Sequence, residues 1–418
     1  MANAKTKQRH VNPKDRAEHT SPPPLTRPGS WLSPVQTGVL DWRTTPYFQF
    51  DLSKIRENIN TLREIVRPDL LFYAVKCNSL PEVLTTIGET GCGFEINNQN
   101  EWLILNRLGL ARHPIVNSSP ISSAQDVGFL FAMGIKRFCF DSAEQIENLR
   151  LNAPGAEVYV RLCQSSDGSR FKLDRLGADF DTAVALIALA AKKGLRPVGV
   201  TFHVGSQCCD PGNWDKAIKE AVELFRAYPF LQFLNLGGGL PVPYQTPAPD
   251  IIALGKTIKA GLDRYFDHRP EIYMEPGRFI VGDAAYTCAS VIQVREEEPV
   301  SRAVLDMSVF AGFMEILEIS DGFHYALRTN APGREREMIR YDLGGPTCAG
   351  TDIICRNIEL PRLRVDYQNP RLSSRVYFAN TGAYTLDYIA RDKDTGFNGA
   401  RIPKIYFTGE RRDEWPGN

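Results

Sequence analysis

No run of about 18 consecutive apolar residues occurs in the chain, so the sequence offers no candidate membrane-spanning helix. Neither sign of charge is in excess: Lys+Arg 49 balances Asp+Glu 49. That balance excludes the broad basic surface expected of a nucleic-acid binder or of a protein held on an anionic membrane. No pair of C-x-x-C motifs is present, so nothing points to a structural zinc. The nine cysteines are scattered and odd in number, and Cys208 and Cys209 are neighbours. Free thiols in a reducing cytoplasm are expected, not a disulfide framework. The opening segment, MANAKTKQRHVNPKDRAEHTSPPPL, lacks the apolar core of a secretory signal. Its polar, proline-rich composition predicts a flexible tail over residues 1–43.

What is present is ordinary in composition, 43% hydrophobic and 23% charged, as in soluble globular proteins. The 418 residues suit a barrel of about 250 residues with a second domain. After the tail, short apolar segments alternate with helical patterns. The strand candidates are LFYAV (71–75), CGFEI (92–96), PIVN (114–117), RFCF (137–140), EVYVRL (157–162), VGVTFH (198–203), LQFLNL (231–236) and EIYM (271–274). The clearest helical patterns are SKIRENINTLREIV (53–66), QNEWLILNRLGL (99–110), SAEQIENLRLNA (142–153), DTAVALIALAAKKG (181–194) and WDKAIKEAVELFRAY (214–228). Strands alternating with helices imply a parallel sheet, and eight such units imply a closed (β/α)8 barrel, expected over residues 44–284. From residue 285 the rhythm changes. TCASVIQV, RAVLDM, REMIRYDL, RVYFAN and KIYFT read as strands between loops, which predicts a mainly β domain over 285–418.

In such a barrel, chemistry gathers where the strands end. The run LLFYAVKCNS stops on Lys76, an amine that is costly to bury without a partner. Glu95 lies in the second strand and Arg161 near the end of the fifth. His203 closes the sixth, Gly237, Gly238 and Gly239 follow the seventh, and Glu275 and Arg278 follow the eighth. Taken singly, each has a structural reading: an ion pair for Glu95 and Arg161, a core histidine, a glycine turn, a lysine reaching for water. Their shared position at one end of successive strands favours a ligand. Three glycines let backbone N–H groups approach an anion such as phosphate, and Arg278 could add a charged fork. Lys76 offers an amine able to form a Schiff base with an aldehyde. Glu275 could hold a protonated ring nitrogen, and His203 could lie flat on the ring. An aldehyde, a ring nitrogen and a phosphate together describe pyridoxal 5'-phosphate.

The motifs YAVKCN (73–78), FHVGSQ (202–207), GGGLP (237–241), EPGRF (275–279), GPTCAGTD (345–352), NTGAYT (380–385) and FNG (397–399) make the chain resemble a known family from about residue 45 onward. It is similar to the barrel-type (fold type III) pyridoxal-phosphate decarboxylases of ornithine, diaminopimelate and arginine. The resemblance implies the same barrel followed by a mainly β, Greek-key-like domain. It implies that Lys76 is the Schiff-base lysine, that Glu275 pairs with the pyridine nitrogen, and that His203 stacks on the ring. Ser206, Gly237 to Gly239, Arg278 and Tyr384 match phosphate-binding positions. Glu95 and Arg161 match supporting residues. Cys348 matches a cysteine that enters the neighbouring subunit's site as proton donor. The resemblance therefore implies a homodimer with shared sites, with Asp352 and Phe397 at the interface, acting on a small amino-acid substrate.

Two departures bear on that substrate. Relatives carry an acid directly after the cysteine, where it meets a distal ammonium; here Ala349 stands in that place. Loss of a charge partner in a dry site costs about 2–5 kcal/mol. The helix that normally offers a second acid reads MEILEISDGFHYALR, with Glu315, Glu318 and Asp321 as candidates. A decarboxylase of amino-acid conjugates, of siderophore or antibiotic type, and an ornithine or lysine decarboxylase of polyamine metabolism both remain open. Two rivals are weaker. One is an inactive regulatory homologue, disfavoured by the retained cofactor positions. The other is an amino-acid racemase, disfavoured by the CAGTD, EPGR and FHVGSQ set. Asn235 also departs, standing where relatives often carry aspartate, and Arg175 replaces a usual lysine.

Overall fold

The computed structural model describes residues 43–173, 175–319, 322–330, 338–389 and 395–409. All but the last residue of the expected tail therefore lie outside it. The first strand, β1 (Tyr47–Asp51), leads into helix α1 (Leu52–Ile65), which Asp51 caps by accepting from the Ser53 N–H. The eight expected barrel strands then follow. They are β2 (Leu70–Ala74), β3 (Gly93–Ile96), β4 (Ile115–Asn117), β5 (Arg137–Phe140), β6 (Glu157–Leu162), β8 (Arg196–Phe202), β10 (Phe233–Asn235) and β11 (Glu271–Met274). They close in the order β10-β11-β2-β3-β4-β5-β6-β8, all parallel. Two short strands in the connections, β7 (Ser169–Phe171) and β9 (Ser206–Cys208), pair with each other antiparallel.

The intervening helices are α2 (Pro81–Glu89), α3 (Gln99–Arg107), α4 (Ala124–Ala132), α5 (Ala143–Asn152), α6 (Phe180–Lys192), α7 (Gly212–Ala227), α8 (Ile251–Tyr265) and the short α9 (Arg278–Val281). Asn98, Ser123, Ser142, Asp179 and Asp250 each accept a backbone N–H at a helix start, the role short polar side chains fill best. The barrel strands read as near-continuous apolar runs because both their faces are buried. Phe72, Val116, Cys139, Tyr159, Val198, Phe233 and Tyr273 fill the interior. At the opening of β5, Arg137 joins this interior, donating to Glu157 at 2.8 Å and to the Tyr273 hydroxyl at 2.9 Å.

The second domain holds β12 (Ala285–Arg295), β13 (Ser301–Leu305), the short helix α10 (Glu315–Glu318), β14 (Leu327–Thr329), β15 (Met338–Gly344), β16 (Ile353–Pro361), β17 (Arg375–Ala379) and β18 (Lys404–Thr408). Its sheet runs β14-β17-β12-β13-β15-β16. One element differs from the sequence expectation. β1, placed within the barrel segment 44–284, instead joins this sheet, antiparallel to β12 and parallel to β18. The cause is its YFQF composition. Tyr47 packs edge-on to Tyr286 and Tyr406, Phe48 to Phe313, and Phe50 lies against Phe407. No helix among the described residues is long and apolar enough to cross a membrane.

The loop after β17 fastens the two domains. Thr381 N–H donates to Ala285, Gly382 N–H to Gly282, and Tyr384 N–H to the Cys77 carbonyl at 2.8 Å. Asn78 returns a hydrogen bond to the Gly382 carbonyl. Only glycine fits at 382, because a Cβ there would stand 1.9 Å from the Val281 carbonyl oxygen.

Candidate active site

Lys76 sits one turn past β2, and its Nζ donates to Glu95 Oε2 at 2.6 Å. The Glu95 side chain is 1% exposed while that of Lys76 is 44% exposed, so the carboxylate anchors an amine that faces the barrel mouth. Burial lowers the proton affinity of Lys76, but the charge and hydrogen bond of Glu95 outweigh it and hold the amine above its ordinary range. The other oxygen of Glu95, Oε1, is buried with no partner, and so is Arg161 Nε.

Glu275 ends β11 and gathers contacts from across the barrel. Its N–H donates to the Gly237 carbonyl. Its Oε1 accepts from Ser118 Oγ and, at 2.6 Å, from Asn235 Nδ2. Burial first, then the charge of Glu95, raise this carboxyl to about 7, against the two hydrogen bonds that lower it. Asn235 also accepts the Gly237 N–H, so it ties the glycine run to the glutamate. Gly237 and Gly239 have φ of 62° and 101°. A Cβ would meet the Phe202 carbonyl oxygen at 2.2 Å in the first and that of Gly205 at 2.5 Å in the second. At Gly238 it would come within 3.4 Å of His203 Nε2.

His203 Nδ1 accepts the Gly205 N–H at 3.0 Å, so the neutral ring carries its proton on Nε2. Burial, then the positive charges of Arg161 and Lys76, push this imidazole down to about 3. It is a neutral plate at any physiological pH.

Arg278 is 3% exposed and sits between rings, its Cζ 4.6 Å from the Phe171 centroid and 4.7 Å from that of Tyr384. Its Nε donates to Ser206 Oγ at 3.2 Å. The edge expected to face a phosphate is turned elsewhere: both Nη atoms grip Glu315, and Nη1 also meets the Tyr244 hydroxyl at 2.7 Å. A guanidinium has five N–H donors. The local charge of the arginine is thus compensated within the protein by Glu315.

The residues expected around the substrate are less concentrated. Glu315 is buried and committed to Arg278, so it does not replace the acid missing at Ala349. Glu318 is exposed and accepts from the Tyr388 hydroxyl at 2.9 Å. Asp321 lies outside the described residues. Cys348 is exposed on the β15–β16 loop, with Ala349 beside it. Asp352 closes that loop: its carboxylate accepts from Ser308, Val309 N–H and both donors of Thr347. Within one chain it is therefore a buried loop anchor. Phe397 is 56% exposed and touches Phe310 at 4.8 Å between centroids. One chain thus assembles the barrel-mouth set but leaves Cys348 and Phe397 exposed, with half-buried Ala349 beside Cys348.

Sequence reasoning missed Ser118, Tyr159, Tyr244 and Phe171, and gave Asn235 no role. Ser118 reaches Glu275 across 157 positions, and no local pattern marks such a pair.

The site fits pyridoxal phosphate. The mouth combines an engaged lysine, a glycine run packed so closely on neighbouring backbone that no Cβ fits, a neutral imidazole plate, a buried glutamate, and two buried polar atoms, Glu95 Oε1 and Arg161 Nε, without protein partners. The sequence pattern of the pyridoxal binding domain of pyridoxal-dependent decarboxylases matches residues 52–282. The lysine/ornithine decarboxylase of Selenomonas ruminantium is 29% identical over 372 residues, 87% of this chain and 90% of that protein. Decarboxylase flvG of Aspergillus flavus is 28% identical over 384 residues, 86% of this chain and 85% of that one. A crystal structure of lysine decarboxylase from Selenomonas ruminantium superposes with a TM-score of 0.80 at 26% identity, covering 93% of this chain and 98% of that one. The chain belongs to the pyridoxal-dependent decarboxylase family. It is a pyridoxal-phosphate-dependent amino-acid carboxy-lyase of the barrel type.

Proposed function

We propose that the barrel mouth releases the α-carboxylate of an amino acid as carbon dioxide, with the roles carried by this chain's own residues as follows. The observation that supports this most directly is the Lys76–Glu95 pair at 2.6 Å facing the same mouth as Glu275 and the glycine run. Pyridoxal phosphate supplies, when bound, an aldehyde for an amine and a ring that accepts the electrons left by carbon dioxide. Lys76 is the amine that would hold the cofactor. Glu95 orients Lys76 and, with Arg161, supports the cofactor. Glu275 would pair with the ring nitrogen, and His203, kept neutral, would support the ring without competing for its charge. Gly237 to Gly239, Ser206 and Tyr384 bind the phosphate, and Arg278 stands behind them.

We further propose a homodimer in which Cys348, Ala349, Asp352 and Phe397 belong to the edge of the partner's site. The exposure of Cys348 and Phe397 supports this. Cys348 then protonates the product carbon from across the interface. None of the nine cysteines is joined in a disulfide, which supports a reducing, cytoplasmic setting.

For the substrate, an amino acid larger than a simple diamine precursor, such as a conjugate, is the reading the geometry favours. Ala349 offers no charge, and Glu315 is locked to Arg278. A second reading, ornithine or lysine, draws support from exposed Glu318, whose partner is a neutral tyrosine. Carbon dioxide release from ornithine, lysine, arginine, diaminopimelate and amino-acid conjugates separates them. Fast turnover of ornithine or lysine assigns Glu318 to the distal ammonium; turnover of conjugates alone assigns the changed pocket. Lys76→Ala should abolish release with every substrate and remove the borohydride-fixable absorbance. Full activity in that variant would overturn the residue roles.

A further inference from the structure

Behind Glu275 lies a set of neutral groups that the roles above leave unused. Ser118, at the end of β4, donates to Glu275 Oε1. The Tyr159 hydroxyl, from β6, lies 2.5 Å from Ser118 Oγ and 3.0 Å from the Asn117 carbonyl. Asn235, at the end of β10, donates to the same Oε1 at 2.6 Å. All three side chains are buried, Ser118 at 8% exposure and the others at 1%. Two donors on one oxygen fix the rotation of the carboxyl.

Counting protons shows what the chain of hydroxyls permits. When Glu275 is ionised it can only accept, so Ser118 gives it the serine proton and Tyr159 can supply Ser118 in turn. When Glu275 carries a proton it can give that proton to Ser118, which turns to Tyr159, which donates to the Asn117 carbonyl. Both states can be satisfied by rotating hydroxyls, but the bond from Ser118 to the ionised carboxylate is the stronger, so Ser118 still favours that state. Asn235 favours the ionised state alone, since its amide donor has nothing to offer a donating acid.

We propose that Ser118 and Asn235 are positioning residues that fix Oε1 of Glu275 and, with Tyr159 behind Ser118, set how readily this carboxyl takes up a proton. The inference rests on the assignment of Glu275 to the ring nitrogen. A carboxylate held ionised there keeps that nitrogen protonated, which is the state in which the ring withdraws electrons best. Glu95 from β3, Lys76 after β2, Tyr159 from β6 and Cys139 from β5 are the other titratable groups facing Glu275, so its titration is read against them.

The test uses the full chain with and without cofactor. The carboxyl infrared band of Glu275, identified as the band lost in Glu275→Gln, is titrated in the cofactor-free protein. A hydrogen bond to a charged group is worth about one to two pH units of proton affinity. Ser118→Ala should therefore raise the midpoint by about that much, and Asn235→Ala should do the same. Ser118→Thr should restore the parent midpoint, and Tyr159→Phe should shift it less than Ser118→Ala. In the loaded protein the absorbance titration of the bound cofactor should move in the same order. Wild-type midpoints in folded Ser118→Ala would overturn the inference. Should that variant fail to fold, an unshifted Tyr159→Phe together with an unshifted Asn235→Ala would overturn it equally. If instead the parent chain takes up no pyridoxal phosphate that borohydride fixes to Lys76, the assignment of Glu275 fails, and the infrared order still reports on Ser118 and Asn235.

Discussion

Arg278 and Glu315 form a pair in which each side chain is 3% exposed. Removing one partner from a buried pair leaves an uncompensated charge and costs about 3–5 kcal/mol. Glu315→Ala should lower the stability of the cofactor-free protein by about that amount, measured by urea denaturation. A phosphate beside Arg278 would return a counter-charge, so the loss should shrink once the cofactor is bound. An equal loss in both forms would mean that Arg278 does not sense the phosphate. His203 gives a pH signature. Its folded proton affinity is pushed down to about 3 from an ordinary 6.5 by burial, then by Arg161 and Lys76. Below 6.5 the unfolded chain binds a proton that the folded one refuses, so this contribution to stability is whole above 6.5 and declines as pH falls towards 3. Glu275, raised from 4.5 to about 7, acts oppositely, losing its contribution as pH rises through that window. His203→Gln removes only the first effect. The urea midpoint of this variant relative to the parent should therefore rise between pH 7.5 and pH 4.5. A constant difference would show that the imidazole titrates normally.

The loop of residues 380–385 is the element on which the two domains meet. Gly382→Ala would drive a methyl into the Val281 carbonyl and so displace Tyr384 from its bond to Cys77. Far-ultraviolet circular dichroism should stay close to the parent's, while cofactor affinity, read by absorbance titration, falls at least tenfold, equivalent to about 1.4 kcal/mol. Retained affinity would mean that the loop is not part of the cradle. This element also shows where sequence reading works and where it stops. The eight barrel strands were legible because strands buried on both faces must be apolar throughout, and α1, α3, α5, α6 and α7 because their periodicity is local, whereas α4 and α8 went unread. The motif NTGAYT was legible by resemblance. Its docking on Cys77 and Gly282 was not, since it depends on backbone groups that carry no residue identity. β14, only Leu327–Thr329, is too short to show alternation, and β16 carries Arg356 and Asn357 mid-strand, which obscures it. The commitment of Glu315 to Arg278 across 37 positions likewise leaves no periodic trace, so that acid read as a candidate for substrate.

At the scale of the whole molecule, the proposed shared sites make a mixing experiment decisive. In a symmetric dimer, each site takes Lys76 from one chain and Cys348 from the other. Lys76→Ala and Cys348→Ala chains, dissociated and recombined, should form the correct amine faster than the sum of the two alone, because one site of the mixed pair is intact. A rate equal to the sum would place both residues in sites made by a single chain. The pairing of β1 with β12 and β18 carries a further consequence, for the order in which the protein is made. β1 leaves the ribosome before every other described strand, yet its neighbours at 285–295 and 404–408 emerge only after the whole barrel has been synthesised. Until then a strand of two phenylalanines and a tyrosine stands without its sheet, and unpaired strands of that kind invite intermolecular pairing. β1 is therefore without its partners throughout the synthesis of the barrel, and it is among the last of the described strands to be paired.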